Sequence, residues 1–390
     1  MSLELEPERQ TTPDAASVSP DRASREQGDI EPAVPDPDRP PPAGSWRHRH
    51  LLDVDALSWA DISLVLRTTD AMHEVLRRPI AKVPALRGTN VTILFYEAST
   101  RTRVSFEVAA KNLSADVVNI AAASSSVSKG ESLVDTIRTI EALGARMLVM
   151  RHATSGAPYL AAEHFSGHVL NGGDGWHAHP TQALLDLYTM REALGGRAGD
   201  SGPGGRPADR FLAGRKVVIL GDILHSRVAR SNLWTLTAAG ADLWVCGPTT
   251  LLRGFDGWAR RGVGGSSDRR FTVTSDVDAA LRDADVVMAL RIQRERMEGG
   301  LLPSLREYAA RFGLTRERLA SARPDAIVMH PGPMNEGVEI APDVASGSHS
   351  VITDQVTNGV AVRMALLYLL AGSAGGSSGP AGSTASSSHD

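Results

Sequence analysis

Short apolar runs alternate with segments of helical periodicity along this 390-residue chain, and the alternation occurs in two blocks. The apolar runs lie at residues 91–96, 117–121, 147–150, 217–220, 243–246, 286–290 and 327–329. Strands that alternate with helices pair in parallel, and the helices cover both faces of the sheet. We therefore predict an α/β fold with two doubly wound domains, each a parallel sheet flanked by helices.

The helical segments carry their own start and stop signals. Ser58 followed by Asp61 predicts a capping box, apolar residues then recur at helical spacing, and Pro79 lies beyond the end. Further helices are predicted from Ser99, over residues 133–143 and from Pro180. The apolar segment 360–370 predicts a closing helix that packs back on the first domain.

Three low-complexity stretches mark the expected domain boundaries. Residues 1–45 are rich in Pro and charge and poor in large apolar side chains, so we expect disorder there. We predict a first folded domain at 46–193, a flexible insertion at 194–210 and a second folded domain at 211–353. The closing helix spans 354–371 and a disordered tail 372–390 in this prediction.

Composition excludes several classes of protein. A net charge of −4 provides no global field for nucleic acid or membrane, and no apolar run reaches the roughly 18 residues needed to span a bilayer. The single cysteine, Cys246, precludes intramolecular disulfides and cysteine-based zinc sites. The acidic, proline-rich start lacks the pattern of a secretory signal. We expect a soluble, cytoplasmic protein without a metal or another cofactor.

Polar residues follow the predicted strands, where ligands bind in such sheets. After the strand at 91–96 come Ser99, Thr100, Arg101, Thr102 and Arg103. Hydroxyls, free amides of a first helical turn and two arginines together predict a phosphate cradle. The simpler alternative is an ordinary helix cap with surface arginines.

Two further cations follow in the first block. Lys129 lies in a polar loop, 124–132, that could close over an anion or could merely be solvated. Arg151 and His152 follow the strand at 147–150. Arg151 could polarise a carbonyl or hold phosphate, or could form a surface ion pair.

The segment from His177 to Gln182 is more specific. Pro180 suits the first helical position, which places His179 at the cap and Gln182 in the first turn. These two side chains could hold the carbonyl and amide of a small substrate. Metal ligation is discounted because a third ligand at zinc-like spacing is missing.

The second block lacks the glycine fingerprint of a dinucleotide site after the strand at 217–220, which argues against an NAD-linked dehydrogenase. Arg227 lies near the next helix start, and Arg291 and Gln293 follow the strand at 286–290. The turn His330-Pro331-Gly332-Pro333 follows the strand at 327–329. Its rigid backbone carbonyls could recognise an amino group, although it could also be a structural corner.

Ser-Thr-Arg-Thr-Arg at 99–103 and His-Pro-x-Gln at 179–182 resemble signatures of the aspartate and ornithine carbamoyltransferase superfamily. The resemblance runs in order from about residue 51 to 370. Ornithine enzymes usually show His-Cys-Leu-Pro and a Ser-Met-Gly loop, whereas this chain has His-Pro-Gly-Pro and Arg291-x-Gln293. It therefore resembles the aspartate branch, and arginines suit a dicarboxylate. The resemblance implies that 46–193 is a carbamoyl phosphate-binding domain and 211–353 an aspartate-binding domain.

The resemblance implies a role for each matching residue. Ser99, Thr100, Arg101 and Thr102 would hold phosphate; Thr102, Arg151 and His179 would face the carbonyl oxygen. Gln182 with Gly332 and Pro333 would hold the carbamoyl amide, and Arg227, Arg291 and Gln293 the aspartate carboxylates. Lys129, with Ser125, would come from a neighbouring subunit and serve catalysis and aspartate binding. Glu97 would pair with Arg227 and Arg296.

The implied activity is transfer of a carbamoyl group from carbamoyl phosphate to L-aspartate, an early step of de novo pyrimidine biosynthesis. The amine would attack directly, without a covalent enzyme intermediate. The implied assembly is a homotrimer with shared active sites, and further regulatory or dihydroorotase chains are left open. The alternatives are a carbamoyltransferase for another amino acid, such as ornithine, and a catalytically silent binding module.

Overall fold

A computed structural model describes residues 46–121, 131–195, 210–293 and 300–373. In chain order the helices and strands are α1 Trp59–Arg77, β1 Asn90–Phe95, α2 Thr100–Asn112, β2 Asp116–Ala121, α3 Leu133–Ala142, β3 Met147–His152, α4 Ala157–His164, β4 His168–Asp174, α5 Pro180–Ala193, β5 Lys216–Leu220, α6 Arg227–Ala238, β6 Asp242–Cys246, α7 Phe255–Arg261, β7 Thr272–Thr274, α8 Val277–Leu281, β8 Val286–Ala289, α9 Leu305–Phe312, α10 Arg316–Leu319, β9 Ile327–Met329, α11 Pro342–Ala345 and α12 Ile352–Ala371. Short 3₁₀ turns lie at Pro84–Leu86, Thr249–Leu251, Val263–Gly265 and Ser267–Arg269.

The strands form two parallel sheets, as predicted. The first has the order β2-β1-β3-β4 and the second β7-β6-β5-β8-β9. In the first sheet Val91 pairs with both Val117 and Met147; in the second Val217 pairs with Leu243 and Val286. In each sheet the chain starts at an inner strand, β1 or β5, adds strands on one side of it, and then adds the remaining strands on the other side. The strand order therefore reverses between β1 and β3, and again between β5 and β8, and such points open a crevice at the carboxyl ends.

The predicted capping box opens the first helix. The Asp61 amide donates to Ser58 Oγ at 3.1 Å, and the Ser58 amide donates to the Asp61 carboxylate at 2.9 Å. These bonds satisfy two amides that a helix start otherwise leaves unpaired. Helix α1 ends at Arg77, before Pro79, so its start and stop are both confirmed.

Helix α12 joins the two halves of the fold. It contacts α1, α2 and α5 of the first half, which confirms the predicted return of the closing helix. Its buried face is apolar over much of its length, and Val362, Leu366 and Leu370 belong to the main hydrophobic core. Burial of such side chains stabilises the packing by roughly 1.5–3 kcal/mol each.

Several predictions fall outside the described residues: the disorder of 1–45, nearly all of the 194–210 insertion and of the 372–390 tail, and the loop with Ser125 and Lys129. Within the described ranges, we find no helix with the length and apolar character needed to cross a bilayer. Cys246 is buried at the end of β6, and burial raises the pKa of its thiol to about 12.

Candidate functional site

A cavity of about 770 Å³, here called the central cavity, lies between the carboxyl ends of the two sheets. Its wall comes from the segments after β1, β5, β8 and β9, from the end of β3, from the starts of α2, α5 and α6, and from α12. The residues assigned to a site from sequence that line it are Ser99, Thr100, Arg101, Thr102, Arg151, His179, Gln182, Arg227, Arg291, Gln293, Gly332 and Pro333. Loops far apart in sequence thus meet at one place, as expected of parallel sheets.

The segment after β1 presents the start of α2 to the central cavity. Ser99 is the N-cap residue and Thr102, in the first turn, is buried. Within the described part of the chain, the Ser99 side chain makes no capping bond to this helix. The first-turn amides and the hydroxyls are therefore available to an anion, which the helix dipole also favours.

Arg101 packs against the turn after β9. A Cβ built on Gly332 would lie 1.3 Å from Arg101 Nη1, and Gly332 has a φ of +68°. Any side chain at this position would therefore both collide with the guanidinium and adopt an unfavourable backbone conformation. Because Gly332 lacks a side chain, the Arg101 guanidinium of the first half can pack directly against this turn of the second half.

Arg151 lies inside β3, whereas the sequence analysis placed it just after the strand. The pairing of β3 with β4 becomes irregular between Met150 and His152, which turns the strand end toward the central cavity. Arg151 Nη1 donates to the Gly172 carbonyl at 3.2 Å, and its Nε lies 3.2 Å from Glu97 Oε2. The guanidinium is thereby held at the cavity wall.

Glu97 bridges the two halves. Arg227 Nη2 donates to Glu97 Oε2 at 2.6 Å, and Arg227 Nη1 donates to the Gly175 carbonyl at 3.2 Å. The expected pairing of Glu97 with Arg227 is present, the contact with Arg151 is additional, and Arg296 lies outside the described residues. One carboxylate thus orients an arginine from each sheet.

Helix α5 contributes His179 and Gln182. His179 is the N-cap residue, Pro180 is the first helical residue, and the His179 amide donates to Ser231 Oγ at 2.9 Å. Gln182 is nearly buried, and its Nε2 donates to Asp186 Oδ1 at 2.8 Å. The helix start therefore holds both side chains at the cavity wall.

His177 belongs to a different cluster. Its Nδ1 lies 3.1 Å from Asp174 Oδ2 and its Nε2 lies 3.6 Å from Asp53 Oδ2. The hydrogen bond to Asp174 raises the pKa of His177, and desolvation raises the pKa of Asp53 to about 7. In the described part of the chain, no group of three or more His, Cys, Asp or Glu residues could hold a metal ion.

Asp222 connects the loops after β5 and β8. Its carboxylate accepts from His225 Nδ1 at 2.8 Å, and the Gln293 amide lies 3.4 Å from its other oxygen. Burial raises the pKa of this carboxyl group. The contact places Gln293 beside Arg291 at the cavity wall, opposite the phosphate cradle predicted from sequence.

Hydrogen bonds of the buried residue His330 stabilise the His-Pro-Gly-Pro turn. The Gly332 amide donates to His330 Nδ1 at 2.9 Å, and His330 Nε2 lies 3.2 Å from Glu339 Oε1. Because Nδ1 accepts, the proton of a neutral ring is on Nε2 and faces Glu339. The His330 amide donates to Gln355 Oε1 at 3.0 Å, so α12 fixes the start of the turn.

The turn at His330 and Pro331, singled out from the sequence, also lines the cavity, whereas sequence reasoning missed another part of its wall, namely Ser105, Leu185, Ser226, Val228, Leu290, Ile352, Gln355, Val356 and Arg363. Among these, Arg363 is buried, and its Nη1 donates to Ser105 Oγ at 2.9 Å. A charged residue in an apolar helix was the available signal, because such residues are rarely buried without a partner.

Electrostatically, the central cavity favours anions. Arg101, Arg151, Arg227, Arg291 and Arg363 line it, with Glu97 as the carboxylate among them. A wall of guanidinium groups with hydroxyls and amides can bind phosphate and carboxylate groups in a bidentate manner. It can also stabilise an oxyanion that develops during a reaction.

In comparisons with known proteins, two domain models of one family match the two halves of this chain. A model described as "Aspartate/ornithine carbamoyltransferase, carbamoyl-P binding domain" matches residues 49–192. A second, described as "Aspartate/ornithine carbamoyltransferase, Asp/Orn binding domain", matches residues 213–370.

Similar proteins carry one recurrent name. The aspartate carbamoyltransferase catalytic subunit of Roseiflexus sp. (strain RS-1) is 57% identical over 326 residues, which are 84% of this chain and 96% of that protein. The subunit of the same name from Heliobacterium modesticaldum is 52% identical over 331 residues, 85% of this chain and 98% of that protein.

Solved structures agree with this similarity. Aspartate transcarbamoylase from Trypanosoma cruzi in complex with carbamoyl phosphate and aspartate has a TM-score of 0.71 and 28% identity, over 85% of this chain and 99% of that chain. The same enzyme with N-(phosphonacetyl)-L-aspartic acid has a TM-score of 0.70 and 28% identity, over 84% of this chain and 98% of that chain.

Proposed function

Because the chain belongs to the aspartate/ornithine carbamoyltransferase family, we propose that it transfers the carbamoyl group of carbamoyl phosphate to the amine of L-aspartate. The products are N-carbamoyl-L-aspartate and phosphate, and the reaction belongs to early pyrimidine biosynthesis. The observation that carries the proposal is the convergence of Arg101, Arg151, Arg227 and Arg291 on one cavity between the two sheets.

The choice of aspartate over ornithine follows from charge. Both substrates must enter a cavity whose wall carries several guanidinium groups, which attract a dicarboxylate and repel the ammonium group of ornithine. Relatives at 52–57% identity are named for aspartate, and the T. cruzi enzyme has been crystallised with it. These findings support aspartate and do not support the ornithine alternative.

Carbamoyl phosphate would bind at the first-half wall. In this proposal the phosphate takes hydrogen bonds from Ser99, the first-turn amides of α2 and Arg101, while the carbamoyl oxygen faces Thr102, Arg151 and His179. Gln182 and the turn at Gly332 and Pro333 receive the amide. Fixed donors around a bound acyl phosphate lower the barrier because they require little reorganisation during the reaction.

Aspartate would bind at the second-half wall, with its carboxylates on Arg227, Arg291 and Gln293. Its neutral amine attacks the carbamoyl carbon, and a C–N bond forms. The oxyanion of the tetrahedral intermediate is stabilised by Arg151, His179 and Thr102. The C–O bond to phosphate then breaks, and a departing phosphate oxygen accepts the amine proton, so the step balances without a cofactor.

The proposed assembly is a homotrimer in the cytoplasm. Lys129, with Ser125, would reach the central cavity of a neighbouring subunit and assist catalysis and aspartate binding. Val104 and Val108 of α2 and Val118 of β2, which is an edge strand, are 38–44% exposed, and such an apolar surface suits a contact between subunits. Native mass measurement checks this assembly. Further regulatory or dihydroorotase partners are left open.

The proposed function is tested by assaying ureido product formation from carbamoyl phosphate with L-aspartate or L-ornithine as acceptor. We expect saturable product with aspartate and at most a trace with ornithine. Product with ornithine at equal or higher kcat/KM would refute the choice of acceptor. An absence of ureido product with either acceptor would refute the proposed reaction.

A further inference from the structure

Asp186 is a buried carboxylate beside the central cavity, and the roles proposed above do not include it. It lies on α5 four residues after Gln182, so the two side chains share one face of the helix. Its exposed fraction is 0%. A buried carboxylate is costly unless hydrogen bonds compensate for lost hydration, so its partners indicate its purpose.

Three side-chain amides donate to Asp186. Gln182 Nε2 of α5 and Gln355 Nε2 of α12 both lie 2.8 Å from Oδ1, and Asn232 Nδ2 of α6 lies 2.9 Å from Oδ2. Gln182 and Gln355 also line the central cavity. Asp186 therefore accepts hydrogen bonds from side-chain amides on three helices. Two of the donors, Gln182 and Gln355, are residues of the cavity wall.

The chemistry of the carboxylate decides how these amides are oriented. An ionised carboxylate only accepts hydrogen bonds, so each partner must present its NH2 group to Asp186 and turn its carbonyl oxygen away. For Gln355 the consequence is visible, because its Oε1 accepts the His330 amide at 3.0 Å. Gln182 Nε2 likewise donates to Asp186, so its Oε1 is the atom left to accept a hydrogen bond from a ligand in the central cavity.

Asp186 remains ionised at neutral pH. Burial outweighs the lowering effect of the three amides and of nearby Arg363, and the net result is a pKa raised to about 6. Arg363 is itself buried on α12, and it supplies the charge that partly compensates the carboxylate. The acceptor-only character required by the hydrogen bonds is therefore present above about pH 6.

We infer that Asp186 is a positioning residue that fixes the amide of Gln182 so that Oε1 accepts a hydrogen bond from the NH2 group of carbamoyl phosphate. The inference rests on the proposed function and deepens it. It assigns to Asp186 the preference for a carbamoyl group over an acyl group without NH2. Acetyl phosphate, in which a methyl group replaces that NH2, is the matched probe.

The test compares the affinities of carbamoyl phosphate, acetyl phosphate and inorganic phosphate in the full-length protein and in Asp186→Asn. An asparagine at 186 can donate to Gln182 Oε1, which frees Gln182 to present its NH2 group to the ligand. We expect the preference for carbamoyl over acetyl phosphate to fall about tenfold, the worth of one hydrogen bond. The affinity for inorganic phosphate should change less than about twofold.

Three further variants separate positioning from general support. Asp186→Glu keeps an acceptor-only group and should retain more of the preference than Asp186→Asn. In a Gln182→Ala background, Asp186→Asn should lower the preference no further. Thr189→Val removes a buried hydroxyl from the same helix, where it donates to the Leu185 carbonyl at 2.8 Å, and should lower stability without changing the preference.

The outcomes are distinguishable. If Gln182→Ala lowers the preference and Asp186→Asn does not, or if Asp186→Asn weakens all three ligands equally, the positioning role is wrong. If the unaltered protein forms carbamoyl aspartate but binds carbamoyl phosphate no better than acetyl phosphate, the inference about Asp186 fails and the proposed function stands. If the unaltered protein forms no ureido product, the proposed function fails.

A structure of the unaltered protein with carbamoyl phosphate provides a check that needs no variant. At a resolution that separates amide oxygen from nitrogen, Gln182 Oε1 should lie about 3 Å from the carbamoyl nitrogen. Gln182 Nε2 facing the ligand, with Oε1 toward Asp186, would overturn the inference.

Discussion

At the scale of single residues, the site depends on charges that are oriented by other charges. Glu97 contacts both Arg151 and Arg227, and Asp222 contacts the backbone of Gln293. These carboxylates fix where the donors point, and preorganised donors are worth more than mobile ones in a partly buried site. The sequence showed which donors follow strands, but it did not show which carboxylate would meet each donor.

Arg151 is the residue whose removal should affect the chemical step most directly. In Arg151→Ala we expect kcat to fall about 100-fold or more, because a donor to the developing oxyanion is lost. Steady-state kinetics with both substrates measures the effect. Arg146→Ala, an exposed arginine just before the same strand, is the matched control and should keep full activity. A loss confined to the KM for aspartate would contradict the role.

Asp53 should make stability depend on pH. Its folded pKa of about 7 lies above the unfolded value of 3.8, so the folded state binds a proton more tightly. The stability associated with this group is therefore present below about pH 4 and is lost as pH rises toward 7. The Tm of Asp53→Asn, relative to the unaltered protein, should thus rise between pH 5 and pH 8. If the difference in Tm between Asp53→Asn and the unaltered protein did not change with pH, a raised pKa of Asp53 would be refuted.

At the scale of elements, periodicity predicted the two sheets and the closing helix, but it missed β4 and the short strand β7. Strand β4 contains Gly172 and Gly173, and glycine is uncommon inside strands. In the structure Gly173 has a φ of +117°, and a Cβ there would lie 3.1 Å from Arg227 Nε. Gly173 therefore permits the close approach of two arginines of the cavity wall, whereas a Cβ on Gly172 would meet the Met150 carbonyl and the Phe95 ring.

For helix α12, the sequence predicted the element and its packing but not its contribution to the cavity. Its apolar pattern predicted packing on the first half, which the structure confirms. The pattern did not predict that Gln355 and Arg363 line the central cavity, because helical periodicity identifies a buried face and not what that face meets. The described residues to which the resemblance gave a role line the cavity, and those roles stay predictions. Arg103, which the sequence analysis counted in the phosphate cradle, is instead exposed and is not part of the cavity wall.

The turn after β9 yields a prediction about substrate binding. In Gly332→Ala the new methyl group would displace the guanidinium of Arg101, so we expect the KM for carbamoyl phosphate to rise about tenfold or more. Gly337→Ala is the matched control: its φ of +79° is similarly unfavourable for alanine, but nothing lies within 4 Å of the added Cβ. Equal effects of both substitutions on KM would attribute the loss to backbone strain and contradict the contact with Arg101.

At the scale of the whole molecule, the fold places the proposed phosphate cradle at the end of one sheet and the arginines proposed to bind carboxylates at the end of the other. The reaction then needs both walls at once, because the amine must approach the carbamoyl carbon while both substrates are held. Helix α12 and the bridge from Glu97 to Arg227 connect the two walls. The sequence predicted two such domains, while the boundaries 46–193 and 211–353 stay predictions.

The most direct measurement is a crystal structure of this protein with N-(phosphonacetyl)-L-aspartic acid, which joins a phosphonate to aspartate in one molecule. We predict the phosphonate at Ser99–Thr102 and the carboxylates on Arg227 and Arg291, within one cavity. A ligand bound outside the central cavity, or one whose carboxylates contact neither arginine, would contradict the account.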